Sequence, residues 1–230
     1  TMVYLMVEQQ FAKYPWCQRT IRGIFEEVRK RRIHVQEVSE LPGGAEERSC
    51  VLLVGASEEW INQTARGAGS LGLHPIVLSN RETNSSGLSV SSVKMDIHSS
   101  MELAVDYLRT LGRERLALFG VNPSASSDLW RARRFGKLTG REGDVFFLGA
   151  SVAEIFDRFY EKIHCYDGVI CASDYAAVSL VGRLREKNYA IPEKLYVVGY
   201  GDMFLSRLYR PSITSISDDY ESFGKAALAI

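Results

Sequence analysis

The sequence has no surplus of charge of either sign. Lysine plus arginine and aspartate plus glutamate each number 28 among 230 residues, for a formal net charge of zero. A nucleic-acid groove is held through excess cations, and nothing here looks like such a surface. The longest cationic run, Arg29-Lys30-Arg31-Arg32, reads as the last turn of a helix, where cations suit the negative end of the helix dipole; a phosphate patch is the other reading. Cysteine is scarce: Cys17, Cys50, Cys165 and Cys171 lie far apart, and no pair has C-x-x-C spacing. That excludes a zinc knuckle or a redox pair and fits buried free thiols in a reducing cytoplasm. No apolar run approaches a membrane span, no signal peptide is expected, and no membrane partner is read. HExxH, G-x-S-x-G, Walker A and G-x-G-x-x-G are all missing, and His34, His74, His98 and His164 are scattered. No enzyme activity, cofactor or metal site is therefore expected.

What the chain does have is 46% hydrophobic residues in a regular rhythm. Apolar runs of covered-strand character recur at "MVYLMV", "CVLLVG", "HPIVLSN", "RLALFG", "DVFFLG", "DGVICA" and "LYVVGYGD", with shorter candidates at Ile33–Val38, "SVKMD" and "SITSI". Between them lie helical stripes. Ile21, Ile24, Phe25 and Val28 share one face, as do Met101, Ala104, Val105, Leu108 and Leu111, stopped by Gly112. Glu58–Leu71, the stretch holding Ile155, Phe156, Phe159 and Ile163, the residues after Asp174, and Tyr220 onward also read as helices. Strand–helix alternation over the whole length makes this an α/β chain with parallel sheets. Ten strand candidates suit two sheets, hence two Rossmann-like lobes, better than one.

In such sheets ligands gather beyond the carboxyl ends of the strands. Polar groups mark several of these ends: Gln9-Gln10 after the first strand, Asn80-Arg81 after the fourth, Ser173-Asp174 after "VICA", and Gly201-Asp202 after "VVGY". Ser173 or Asp174 has two readings, as the N-cap of the next helix or as a ligand-facing group.

The run "DGVICASDYAAVSLVGRLREKNYAIPEKLYVVGYGD", followed by "LSRLYRPSITSI", closely resembles the effector-binding core of the LacI/GalR family of bacterial transcription regulators. The segment "VLSNRETNSSGLSVSSVKMDIHSSMELAVDYLRTLGRERLALFG" resembles the family's entry into its second lobe, and "YPWCQRTIRGI" sits where the family has Asn-Pro-Phe-Phe and its first helix. The resemblance implies a type I periplasmic-binding-protein-like fold. Residues 1–97 would form the N-terminal lobe, with 218–230 returning to it, and 98–217 the C-terminal lobe. A small polar effector, a sugar or a derivative of one, would bind between the lobes. Stretches near Gly43-Gly44 and Thr139-Gly140, and the chain after Ile230, are shorter than the family pattern. The resemblance also implies a homodimer, joined through the first helix and its neighbours and through second-lobe helices, and operator DNA bound by a helix-turn-helix that this chain does not contain.

By the same resemblance, Trp16, with Tyr14 in its segment, stacks on the effector; packing as a core tryptophan is the other reading. Arg131, ahead of Phe135, matches the family's effector-contacting arginine, with a solvated surface role as the alternative. Two departures matter. Ser173 stands where the family has Asn, and Gly201 stands where it has the Asp that grips hydroxyls, with Asp202 one place later. Asp218, near a hinge position, is a substitute carboxylate. The expected ligand-binding set is Gln9, Tyr14, Trp16, Asn80, Arg131, Ser173, Asp202 and Asp218. An unusual sugar, a phosphate ester, a non-sugar effector and loss of effector control all stay open. A transporter's extracytoplasmic sugar-binding protein is the alternative reading of the whole.

Overall fold

The computed structural model describes residues 2–43, 49–79, 87–149 and 151–229. In chain order the main elements are β1 (Val3–Val7), α1 (Pro15–Arg31), β2 (Val35–Glu37), β3 (Cys50–Val54), α2 (Glu58–Ser70), β4 (His74–Leu78), β5 (Ser91–Val93), α3 (Ile97–Thr110), β6 (Leu116–Val121), α4 (Ser126–Thr139), β7 (Val145–Phe147), α5 (Val152–Glu161), β8 (Gly168–Cys171), α6 (Asp174–Glu186), β9 (Tyr196–Tyr200), α7 (Phe204–Leu208), β10 (Thr214–Ile216) and α8 (Tyr220–Ala226). They divide into two compact units, Thr1–Met95 with Asp219–Ile230, and Asp96–Asp218.

The first unit holds a five-stranded parallel sheet in the order β2-β1-β3-β4-β5. Its central strand β3 is apolar throughout, and Val51 to Val54 are fully buried, as a strand covered on both faces must be. The short edge strands β2 and β5 are more exposed and carry Gln36, Glu37 and Ser92. On one face, α1 and α8 cover Val3, Leu5, Leu52, Ile76 and Leu78; on the other, α2 covers Val51, Leu53 and Val77.

The expected stripe of α1 is present but turned. Ile24 and Val28 are buried, while Ile21 and Phe25 are half-buried. The buried seam also takes in Thr20, Gly23 and Glu27, because α8 packs against that side. The basic run ends α1: Arg29, Lys30 and Arg31 form its last turn, and Arg32 closes it in the left-handed conformation. Arg31 pairs with Glu27 at 2.6 Å and donates to the Leu228 carbonyl at 2.8 Å, so part of the run is spent on helix closure.

The second unit repeats the plan with the order β10-β9-β8-β6-β7, again all parallel. One core cluster joins Phe119, Phe146, Phe159, Tyr166 and Leu180; the other joins Met101, Val105, Leu108, Phe135 and Tyr200. Asp218 groups with this unit, and its carboxylate is ion-paired to Arg131.

Two helices were not legible. α4 fills a stretch that the sequence reading leaves without an element. Its apolar positions Leu129, Ala132, Phe135 and Leu138 are widely spaced and diluted by Arg131, Arg133 and Arg134. α7 is a single five-residue turn whose Phe204 and Leu208 are exposed, so it offers no periodic stripe.

All four cysteines are free. Cys17 and Cys171 are buried as expected, Cys50 is half-buried, but Cys165 is exposed, since it lies in a short 3-10 turn (Ile163–Cys165) before β8. Burial raises the thiol of Cys17 to about 11 and raises that of Cys171 further, which suppresses both thiolates near neutrality. A thiol titration of the native protein should register Cys165 rapidly and Cys17 and Cys171 only after denaturant is added. Rapid labelling of Cys171 in the native state contradicts the packing of β8.

Candidate functional site

In the second unit the polar tips of the parallel strands form two separate clusters. The first is built around Arg131. It is a mid-helix residue of α4 and only 8% exposed. One guanidinium nitrogen meets Asp218 Oδ2 at 2.7 Å and another meets Asp128 Oδ1 at 3.1 Å. The guanidinium carbon lies 4.5 Å from the centre of the Tyr200 ring, a desolvated cation–π contact at the end of β9. Asp128 also accepts the Asn122 backbone N–H, 2.9 Å away, just past β6. Burial lifts Asp128 above its ordinary carboxylate range, partly opposed by that N–H and by Arg131. Burial likewise pushes the Tyr200 phenol up to about 12. The surface reading of Arg131 is thus corrected: Arg131 and Asp218 meet, as a buried pair.

The second cluster is structural. Ser173 Oγ accepts the Ala176 N–H at 3.2 Å, so it caps α6. Asp174, fully buried, accepts from the Met203 N–H at 2.7 Å and from Ser215 Oγ at 2.6 Å. It thereby ties the tips of β8, β9 and β10 together. Gly199 is required there, because a Cβ would sit 2.2 Å from Asp174 Oδ1. Asp202, with φ of 46°, gives its N–H to Ser215 and spends its carboxylate on Arg207, with Oδ1 2.9 Å from Nε. Ser173 and Asp202 are therefore committed to a cap and to a surface ion pair; neither is hydrogen-bonded to the Arg131 cluster. The same unit also has an apolar recess of about 130 Å³ lined by Val181, Pro192, Tyr196 and Pro211, at the amino ends of β9 and β10, away from these tips.

In the first unit, a 3-10 turn (Gln9–Phe11) follows β1. Phe11 gathers the aromatic candidates: Tyr14 lies edge-on at 5.5 Å and Trp16 at 5.9 Å, with Tyr220 at 6.4 Å on the far side of Trp16. Tyr14 is exposed and Trp16 half-buried. Gln9 is exposed, with its amide 3.4 Å from the Val7 carbonyl. Asn80 lies outside the described residues.

Sequence reasoning missed Glu8, which is only 3% exposed. Its Oε2 accepts the N–H groups of Ala56 and Ser57 at 2.9 and 3.0 Å, and its Oε1 is met by Ser57 Oγ and the Gln10 amide. Ser57 is the N-cap of α2 but turns its hydroxyl to Glu8, so Glu8 supplies the anion that the helix start favours. The available signal was a carboxylate directly ending a buried strand. Although burial opposes it, the Ser57 and Gln10 hydrogen bonds hold the Glu8 carboxyl below its ordinary value of 4.5. A depressed folded-state value means that the stabilisation is present above 4.5 and is lost as pH falls through the folded value. Urea unfolding of Glu8→Gln should therefore show a deficit against the wild type at pH 7 that shrinks on acidification. A deficit independent of pH contradicts the ionised cradle.

Among the described residues, no group of three or more His, Cys, Asp or Glu is placed to hold a metal ion, and no helix is long and apolar enough to cross a membrane.

The family described as a periplasmic binding protein-like domain matches residues 105–230. The chain belongs to this family, in the form carried by LacI-type transcription regulators. The HTH-type transcriptional regulator RegA of Clostridium saccharobutylicum is 35% identical over 90 residues, covering 39% of this chain and 24% of that protein. The HTH-type transcriptional repressor PurR of Vibrio atlanticus is 29% identical over 137 residues, covering 56% of this chain and 41% of that protein. The chain thus spans less than half the length of these relatives. Among solved structures, the LacI family regulator CCPA of Weissella paramesenteroides with bound sucrose superposes with a TM-score of 0.70 at 16% identity, covering all of this chain and 90% of that one. That likeness speaks to the fold alone. These relatives are transcription regulators rather than enzymes, in accord with the missing catalytic motifs.

Proposed function

We propose that this chain is the effector-sensing domain of a LacI-type transcription regulator that binds a small polar molecule at the carboxyl ends of its strands. The observation that carries the reading is the family match over residues 105–230, which includes Arg131, Asp202 and Asp218. Within it, Arg131 with Asp128, Tyr200 and Asp218 offers forked donors, carboxylate acceptors and an aromatic face, the groups suited to a polyhydroxyl molecule. The sucrose bound to the Weissella regulator makes a sugar the first class to try. The parent protein acts as a cytoplasmic homodimer and meets operator DNA through a helix-turn-helix domain outside this chain. Effector binding shifts the population of domain conformations; full switching takes about 5.5 kcal/mol of differential affinity.

A thermal-shift screen against sugars, sugar phosphates, nucleobases and amino acids tests this. A ligand at a hundredfold excess over its Kd stabilises by about 2.7 kcal/mol. The expected hit shifts the wild type and loses much of its affinity with Arg131→Lys; a hit indifferent to Arg131 contradicts the site. Native mass spectrometry separates the regulator from a monomeric transport protein: a dimer supports the first, a monomer at every concentration the second.

A further inference from the structure

We propose that a strip of cations and aromatic rings on the second unit, across α5, the end of α6 and the turn before β9, docks an acidic peptide segment of a partner protein. The strip lies wholly within that unit and does not depend on the effector reading.

Three rings form a continuous chain. Phe156 and Tyr160, one turn apart on α5, are stacked with centres 5.5 Å apart, and Tyr160 meets Tyr189 edge-on at 6.5 Å. A cation lies over each ring. Arg183 of α6 is 5.6 Å from the centre of Phe156, Lys187 at the end of α6 is 6.0 Å from Tyr160, and Lys194 is 5.9 Å from Tyr189. Both lysines are exposed, while Arg183, Tyr160 and Tyr189 are half-buried. A ring face attracts a cation without neutralising it. Elsewhere the cations of this chain are matched by carboxylates: Arg19 by Glu221, Arg31 by Glu27, Arg115 by Asp167, Arg141 by Asp144 and Lys225 by Glu26. Among the described residues none of Arg183, Lys187 and Lys194 has an ion-pair partner. In a chain of zero net charge, these three cations keep their positive charge unspent.

Their setting suits carboxylates carried on a peptide. Each side chain already rests on a ring, so less rotamer freedom is lost when an anion arrives. The strip is not uniformly positive, because exposed Glu186 and Glu193 directly precede Lys187 and Lys194. A continuous polyanion, such as a nucleic-acid backbone, meets these two carboxylates as repulsion. A peptide can space its own carboxylates onto the cations and set neutral residues beside the glutamates.

The test is fluorescence anisotropy of a labelled peptide of alternating glutamate and glycine, titrated with the full chain at low ionic strength. The wild type should bind it, and Lys187→Glu/Lys194→Glu should weaken binding at least about tenfold. Lys13→Glu/Lys137→Glu makes the same charge change at exposed lysines away from the rings, one in the first unit and one on α4, which covers the opposite face of the second sheet. That control should weaken binding less than about twofold, through the general field alone. Tyr160→Leu/Tyr189→Leu keeps every charge and removes the rings under both lysines, so it should weaken binding by about threefold. Should this pair fail to fold by circular dichroism, Tyr160→Leu alone serves the same comparison. No binding by the wild type, equal losses in the two charge-reversal variants, or no loss without the rings overturns the proposal. A DNA duplex that displaces the peptide at lower concentration than unlabelled peptide does assigns the strip to nucleic acid and overturns it as well.

Discussion

Arg131→Ala is expected to destabilise the protein by about 3–5 kcal/mol, because it strands Asp128 and Asp218 as buried carboxylates without their cation. Their side chains are only 14% and 10% exposed, so water cannot readily compensate. Urea unfolding measures the loss, and pH gives it a signature. Stranded carboxylates take up protons more readily, so the deficit of Arg131→Ala should narrow on acidification. Adding Asp218→Asn to Arg131→Ala should recover part of the loss, because one uncompensated charge is removed. A loss under 1 kcal/mol, with no recovery in the double variant, is incompatible with the buried pair.

Gly23→Val should be the second severe change, costing about 3 kcal/mol through overpacking. A Cβ at Gly23 would lie 2.0 Å from the Glu221 carbonyl oxygen, and one at Gly224 would lie 2.1 Å from the Thr20 carbonyl oxygen. The two glycines face each other where α1 and α8 cross, and backbone cannot yield as a flexible side chain does. The Arg19–Glu221 pair at 2.9 Å sits on the same contact and should loosen with it. Gly182→Ala is the control: it lies inside α6, its nearest neighbour is 3.7 Å away, and helix propensity makes it neutral or stabilising by up to about 1 kcal/mol. Equal effects at Gly23 and Gly182 contradict the close crossing.

The architecture was legible because hydrophobic period and burial agree in the strands. Each of the ten apolar or extended runs became a strand, since runs such as "VLLV" and "LALF" can satisfy their backbone and bury their side chains only inside covered sheets. α4 escaped because its inner face spends a position on Arg131, a residue that reads as solvent-facing until its two carboxylate partners are known. Those partners, three and 87 residues away, have no common local pattern. The same limit applies at the tips. That Ser173 caps a helix is a local fact, readable from the serine before an apolar stripe. That Asp202 is taken by Arg207 and Asp174 by Met203 and Ser215 depends on how three strands end side by side. Glu8 was passed over because its partners come from the end of β3, 48 and 49 residues further on.

Hydrogen–deuterium exchange with and without the best screening hit tests most directly whether the strand tips around Arg131 take the effector. Protection should appear in residues 122–131, 200–202 and 216–218, the segments that carry Asn122, Asp128, Arg131, Tyr200 and Asp218. Protection confined to the outer face of α2, or to the recess beside Val181, Pro192 and Pro211, would place the ligand elsewhere and contradict it.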